Sequence, residues 1–212
     1  FPTSSIEGAW MNEQGNFVVE TTTDYVTIKA TYPGKTKLAV AADGKARAEM
    51  ESWIKQQIAE FQSGDYAPGL NEQIRLKEQG RKYTFDISIK HEYVSMPYVS
   101  YAYTVYADTG GAHPNAFTMT FPFDQSGNRV MFADLFKPGA RYLDRLSAIA
   151  YADVVKQYTE RVGVAPEEDQ LDWIKNGTAP TPEALQFFYI DASDLVIVFP
   201  PYQVAAYVLG EI

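Results

Sequence analysis

The sequence has no cysteine and only two histidines, His91 and His113. The first absence excludes disulfide scaffolds, thiol nucleophiles and thiolate zinc sites, and it leaves the redox compartment open. The second leaves little imidazole for metal ligation, and neither histidine sits in a spacing such as HExxH. No apolar run approaches the roughly 18 residues that a helical bilayer span needs. No GxSxG elbow and no glycine-rich phosphate loop followed by lysine occurs. Basic residues are in deficit, 18 Lys and Arg against 27 Asp and Glu, for a formal net charge of −9. Such a chain repels phosphate backbones and anionic membrane surfaces, so no nucleic-acid partner is expected.

Aromatic residues are abundant instead: 15 Tyr, 12 Phe and 3 Trp in 212 residues. Their preference for pleated, half-buried surfaces predicts a sheet-rich fold. The stretch NFVVETTTDYVTIKATYP reads as one or two strands, ended by Pro33-Gly34. Asp43-Gly44 then precedes a helix of about 18 residues. Its apolar stripe is Ala46, Met50, Trp53, Ile54, Ile58 and Phe61, and Gly64 is its stop. From Lys82 the period changes to two. Tyr83, Phe85, Ile87 and Ile89 alternate with Thr84, Asp86, Ser88 and Lys90, and in YVSYAYTVYA Tyr101, Tyr103 and Val105 oppose Ala102, Thr104 and Tyr106. NAFTMTFPFD is the third strand of this antiparallel meander. A second helix is expected over Arg141–Glu160 and a short third one over Pro166–Lys175, with the acidic opening Glu167-Glu168-Asp169 matched to the helix dipole. LQFFYIDASDLVIVFPPY reads as a hairpin with its turn at Asp191–Asp194. Strands in consecutive runs with helices between the groups predict an α+β fold: an antiparallel meander sheet on two main helices, plus the short third helix. A seam falls near residues 75–82, with the two parts, 1–80 and 81–212, sharing one packed core.

The segment DTGGAHPN, Asp108–Asn115, is the candidate site. Gly110 and Gly111 allow a sharp reversal after a strand, and Pro114 holds Ala112-His113 extended. The loop presents Asp108, His113 and Asn115 at a rim, so Asp108, Gly110, Gly111, His113 and Asn115 are the expected binding residues. Of the carboxylate pairs Glu167/Glu168, Asp191/Asp194 and Asp169/Asp172, the first reads as helix-start residues and the second as hairpin-turn residues rather than as an acid–base pair. No catalytic residue, metal ligand or cofactor is assigned.

YADTGGAHPN, the FADLF segment and DLVIVFPPYQVAAYVLG together resemble the bacterial envelope domain DUF3298 (RsiV-like). VTIKATYP with the helix MESWIKQQIAEF is similar to its companion DUF4163 (PdaC-like). The resemblance implies an exported cell-envelope module that binds a ligand and performs no chemistry of its own. The implied partners are a cationic lysozyme-like protein or peptidoglycan fragments, and the implied location is periplasmic or extracellular. The start at Phe1-Pro2-Thr3 predicts a processed or trimmed form, and a lipid anchor upstream is compatible with it. The alternatives are a polysaccharide-active envelope enzyme, glycosidase or deacetylase-like, and a passive structural module of a lipoprotein.

Overall fold

The structure is a computed structural model that describes residues 3–64, 66–192 and 194–212. Ser193, inside the expected hairpin turn, lies outside the described residues. Six strands form one sheet in sequence order: β1 (Trp10–Met11), β2 (Asn16–Thr22), β3 (Val26–Pro33), β4 (Tyr83–Ser95), β5 (Tyr98–Asp108) and β6 (Asn115–Phe123). The helices are α1 (Val40–Ser63), α2 (Leu70–Glu78), α3 (Tyr142–Val162) and α4 (Glu168–Gly177). A separate hairpin comprises β7 (Phe188–Asp191) and β8 (Asp194–Ile197). The α+β expectation holds, with additions that the sequence pattern does not announce. Strands β4 to β6 are the antiparallel meander, but β3 pairs with β4 in parallel, Val26 opposite Tyr83 through Ala30 opposite Ile87. A parallel neighbour demands a long crossover, and α1 and α2 supply it. Helix α2 escapes the periodicity reading because only Leu76 is buried on it. Trp10–Met11 adds a short edge strand beside β2.

Helix α1 begins three residues before Asp43, so Asp43 and Gly44 lie inside it. The Asp43 carboxylate reaches back out of the first turn: it accepts the Thr36 N–H at 2.5 Å and the Thr36 hydroxyl at 2.9 Å, and pairs with Arg47 at 3.0 Å. Burial by itself would raise its pKa. The two Thr36 donors and the guanidinium outweigh burial and hold the carboxyl below the usual range.

The sheet is covered on both faces. On one face α1 brings Met50, Ile54 and Phe61 down onto Ile28, Ile87, Tyr103 and Phe121, and this core draws on residues from both sides of residue 80. On the other face β7 crosses β4, β5 and β6. There a second cluster gathers Phe132, Val154, Ile174, Leu185, Phe188, Phe199 and Val204. The alternation in β5 follows from this: Tyr101, Tyr103 and Val105 point to α1, and the small residues of opposite parity leave room for β7.

A bulge breaks the β4 alternation. Ile89 pairs with Tyr103 but His91 pairs with Ala102, so Lys90 is the extra residue. The parity of the strand reverses there. Glu92, opposite Tyr101, joins the α1 side and accepts the Tyr101 hydroxyl, while Lys90 points to the opposite face. Burial, then the Glu92 carboxylate, keeps the Tyr101 hydroxyl protonated far above the ordinary range.

This packing has two measurable consequences. A carboxyl with a depressed folded pKa stabilises fully above its ordinary value of 3.8, and that contribution is lost as pH falls through the lower folded value. Urea unfolding of the native protein should therefore weaken more steeply below about pH 4 than that of Asp43→Asn. Gly127 has φ +75°, and a Cβ there would lie 2.3 Å from the Ala42 carbonyl oxygen, a backbone atom that cannot move aside. Gly127→Ala should lower stability by about 2 kcal/mol or more, read as a shift in the urea midpoint with unchanged slope.

Candidate functional site: a groove beside His113

The β5–β6 connection is held by its own side chains. Asp108 closes β5 and accepts the Gly110 N–H at 2.9 Å, a turn that places Gly110 at φ +74°. Gly111 and His113 are exposed, and Asn115 opens β6 opposite Ala107. The Pro114 carbonyl lies 2.9 Å from Nδ1 of His113. A carbonyl can only accept, so Nδ1 carries the proton, and in the neutral ring Nε2 is then the acceptor. Its partner is the Tyr202 hydroxyl at 2.9 Å. The ring also stacks on Tyr207, centroids 3.8 Å apart and planes 14° apart.

His113 therefore joins two stretches nearly 90 residues apart, GGAH and FPPYQVAAYVLG. The second stretch is itself tightly anchored. Tyr202 sits at φ +71°, a left-handed conformation uncommon for a bulky residue. Its carbonyl accepts the Trp173 indole N–H at 3.0 Å, and its N–H donates to Ala205. Gly177, at the end of α4, packs so closely that a Cβ would lie 2.1 Å from the Gln203 carbonyl oxygen. Arg161 of α3 donates to the carbonyls of Leu209 and Glu211, each at 2.7 Å. Strain of this kind persists only where the surroundings over-determine it.

Between this stretch and the sheet runs an open groove of about 380 Å³, lined on one side by Lys90, Thr118 and Phe117 and on the other by Pro201 and Tyr207 to Glu211. Its floor is a polar triad. Lys90 donates to Thr118 at 2.9 Å and to Glu211 at 2.8 Å, and the Thr118 hydroxyl donates to the same Glu211 oxygen at 2.6 Å. The other carboxylate oxygen, Oε1, is buried without a donor among the described residues. A buried acceptor left unpaired costs about 1–3 kcal/mol.

Of the five binding residues expected from the sequence, the structure ties Asp108 to Gly110 and sets His113 against the groove wall, while Gly111 and Asn115 stay at the exposed rim without a side-chain partner among the described residues. Sequence reasoning missed Tyr202, Tyr207, Lys90, Thr118 and Glu211. The FPPYQ–AAYVLG segment flags the two tyrosines, but nothing in an alternating strand marks Lys90 as bulged. Glu167, Glu168 and Asp169 lie exposed at the start of α4, and Asp191 and Asp194 face each other across the hairpin end. Among the described residues no three His, Asp or Glu side chains converge as metal ligands, and no helix is long and apolar enough to cross a membrane.

Fold and groove together define an α+β module with an open cleft between the 199–212 segment and strands β4 to β6. The same fold occurs in two crystal structures of DUF3298 family proteins. One, from Bacteroides fragilis, has TM-score 0.55 and 17% identity over 97% of this chain and 88% of that one. The other, from Pseudomonas aeruginosa, has TM-score 0.53 and 13% identity over 93% and 86%. Residues 133–212 match the family described as protein of unknown function DUF3298, and carry that domain. The matched segment contains Tyr202, Tyr207 and Glu211, whereas His113 lies upstream of it. A curated relative is the peptidoglycan-N-acetylmuramic acid deacetylase PdaC of Bacillus subtilis (strain 168), 36% identical over 114 residues. The match takes in 53% of this chain and spans about a quarter, 23%, of that relative's length.

If His113 pins the 199–212 segment, its substitutions should separate stacking from hydrogen bonding. His113→Phe keeps a ring against Tyr207 and should cost about 1 kcal/mol, whereas His113→Ala loses both contacts and should cost about 2 kcal/mol. Urea unfolding measures both. Equal stability of all three proteins would show that the contact does not hold the segment.

Proposed function

We propose that the chain is a non-enzymatic ligand-binding module of a bacterial cell-envelope protein, and that the groove beside His113 takes peptidoglycan glycan or its soluble fragments. The observation that carries this reading is the convergence of His113 with Tyr202 and Tyr207 at the edge of a cleft floored by Lys90, Thr118 and Glu211. A sugar ring offers C–H faces to aromatic planes, and its hydroxyls need donors and acceptors together. Here the rings and the mixed floor adjoin. Asp108, Gly110 and Gly111 shape the loop, and His113 and Asn115 give the rim polar atoms. The name of PdaC points to peptidoglycan, although the likeness covers a minor part of that protein. In this reading residues 1–80 are a DUF4163-like part and residues 81–212 a DUF3298-like, RsiV-like part, outside the cytoplasm in the periplasm or beyond it. A lipid anchor upstream would suit that setting.

A second reading, recognition of a cationic lysozyme-like protein, draws on one observation, the net charge of −9. Calorimetry separates the two. Soluble muropeptides should bind the native protein, and Tyr207→Ala, which removes a ring from the groove wall, should weaken them about tenfold or more. Silence with muropeptides at high micromolar concentration sinks the first reading. Heat with lysozyme alone would transfer the function to the second.

A further inference from the structure

A second cavity, of about 300 Å³, lies where the chain leaves β6, and it shares no lining residue with the His113 groove. Its walls are apolar: Met119 from β6, Val130 and Phe132 from the following segment, Tyr142 at the start of α3, and Phe187-Phe188 leading into β7. Met131, 63% exposed, stands at the rim, and an unbranched thioether there adapts to varied shapes.

Among the described residues one cation borders this cleft. The Arg129 side chain is only 26% exposed, and its guanidinium carbon lies 4.0 Å above the ring centre of the buried Phe121. That group has five N–H donors. Among the described residues it makes one hydrogen bond, from Nη2 to the Thr120 carbonyl. Its ion pair with Glu49 of α1 is loose, Nη1 to Oε1 at 3.6 Å, beyond hydrogen-bond reach. Burial pushes the guanidinium pKa down to about 10, with Glu49 pulling the other way, so the group stays charged near neutral pH. A partly dehydrated, under-bonded guanidinium at an apolar wall favours a carboxylate that can take two parallel N–H bonds. The chain as a whole is strongly acidic, so selective capture of an anion has to come from this local cation rather than from the general field.

We propose that this cavity binds an amphiphilic carboxylate, its apolar tail between Met119, Phe132 and Phe188 and its carboxylate on the free N–H groups of Arg129. The Met131 side chain closes over the tail. Glu49 is the internal competitor for the guanidinium, which keeps the empty site electrostatically balanced. The site is independent of the groove, so muropeptide binding and carboxylate binding fail or succeed separately.

Decanoate and decanol, which share one tail and differ in charge, test the proposal by calorimetry on the full chain. Decanoate should bind at least about tenfold more tightly than decanol, and Arg129→Gln should erase the difference. Because Arg129 packs on the core, Met131→Glu provides an exposed second variant. It places a like charge at the rim and should weaken decanoate about tenfold while leaving the thermal midpoint unchanged. Equal affinity for decanoate and decanol, no binding of decanoate up to about 1 mM, or a decanoate affinity that neither variant alters would each overturn it.

Discussion

Strand β7 is laid across a sheet face, and its backbone must still find hydrogen-bond partners there. The N–H groups of Phe188 and Ile190 are met by the hydroxyl of Thr120 and the hydroxyl of Ser100, both fully buried side chains of the sheet. A buried amide without a partner costs as much as a lost hydrogen bond, so crossed layers of this kind normally avoid backbone contact. Here hydroxyls on the outer parity of β5 and β6 do what a ladder would otherwise do. Where β7 crosses β5 and β6, that parity carries the small residues Ser100, Ala102, Thr118 and Thr120, while Tyr93 of β4 stacks on Tyr189 of β7, ring centroids 4.3 Å apart. The opposite parity carries Tyr103 and Phe121 toward α1. The two clusters thus share β5 and β6 as a common partition.

That partition also explains how the groove comes to exist. At Lys90 the bulge sends one charge to each side: Lys90 to the face of Thr118 and Glu211, Glu92 to the face of Tyr101. Without the extra residue the two side chains would share a face, and either the groove would lose its cation or the Tyr101 hydroxyl its acceptor. The 199–212 segment is then fastened over Lys90 from three directions, by Arg161 from α3, by Gly177 from α4 and by His113 from the β5–β6 loop. Anchoring of this density suits a preorganised binding surface, where ligand affinity is not spent on ordering loops.

His113 and Glu211 are both held by their neighbours. His113 is bonded through both ring nitrogens, to Pro114 and to Tyr202. The Glu211 carboxylate is neutralised by Lys90 at 2.8 Å and bonded by Thr118. What remains at the surface is planar aromatic area beside a balanced set of donors and acceptors.

The sequence by itself determined the strands of the meander, because period-two alternation is a local property, and Tyr101, Tyr103 and Val105 do face α1 as their spacing requires. It also determined the reversal at Gly110, since a positive φ and a bonding Asp108 lie within three residues of each other. Helix α1 was legible through its stripe but not in its start, because Asp43 is bonded to Thr36, a contact that no helical period encodes. The parallel pairing of β3 with β4, the flip at Lys90 and the meeting of His113 with Tyr202 and Tyr207 were decided only in three dimensions. Each joins residues remote in the chain or depends on which partner strand a residue faces. Local periodicity records the face a side chain takes, whereas the partner across that face is set by how the layers close on one another.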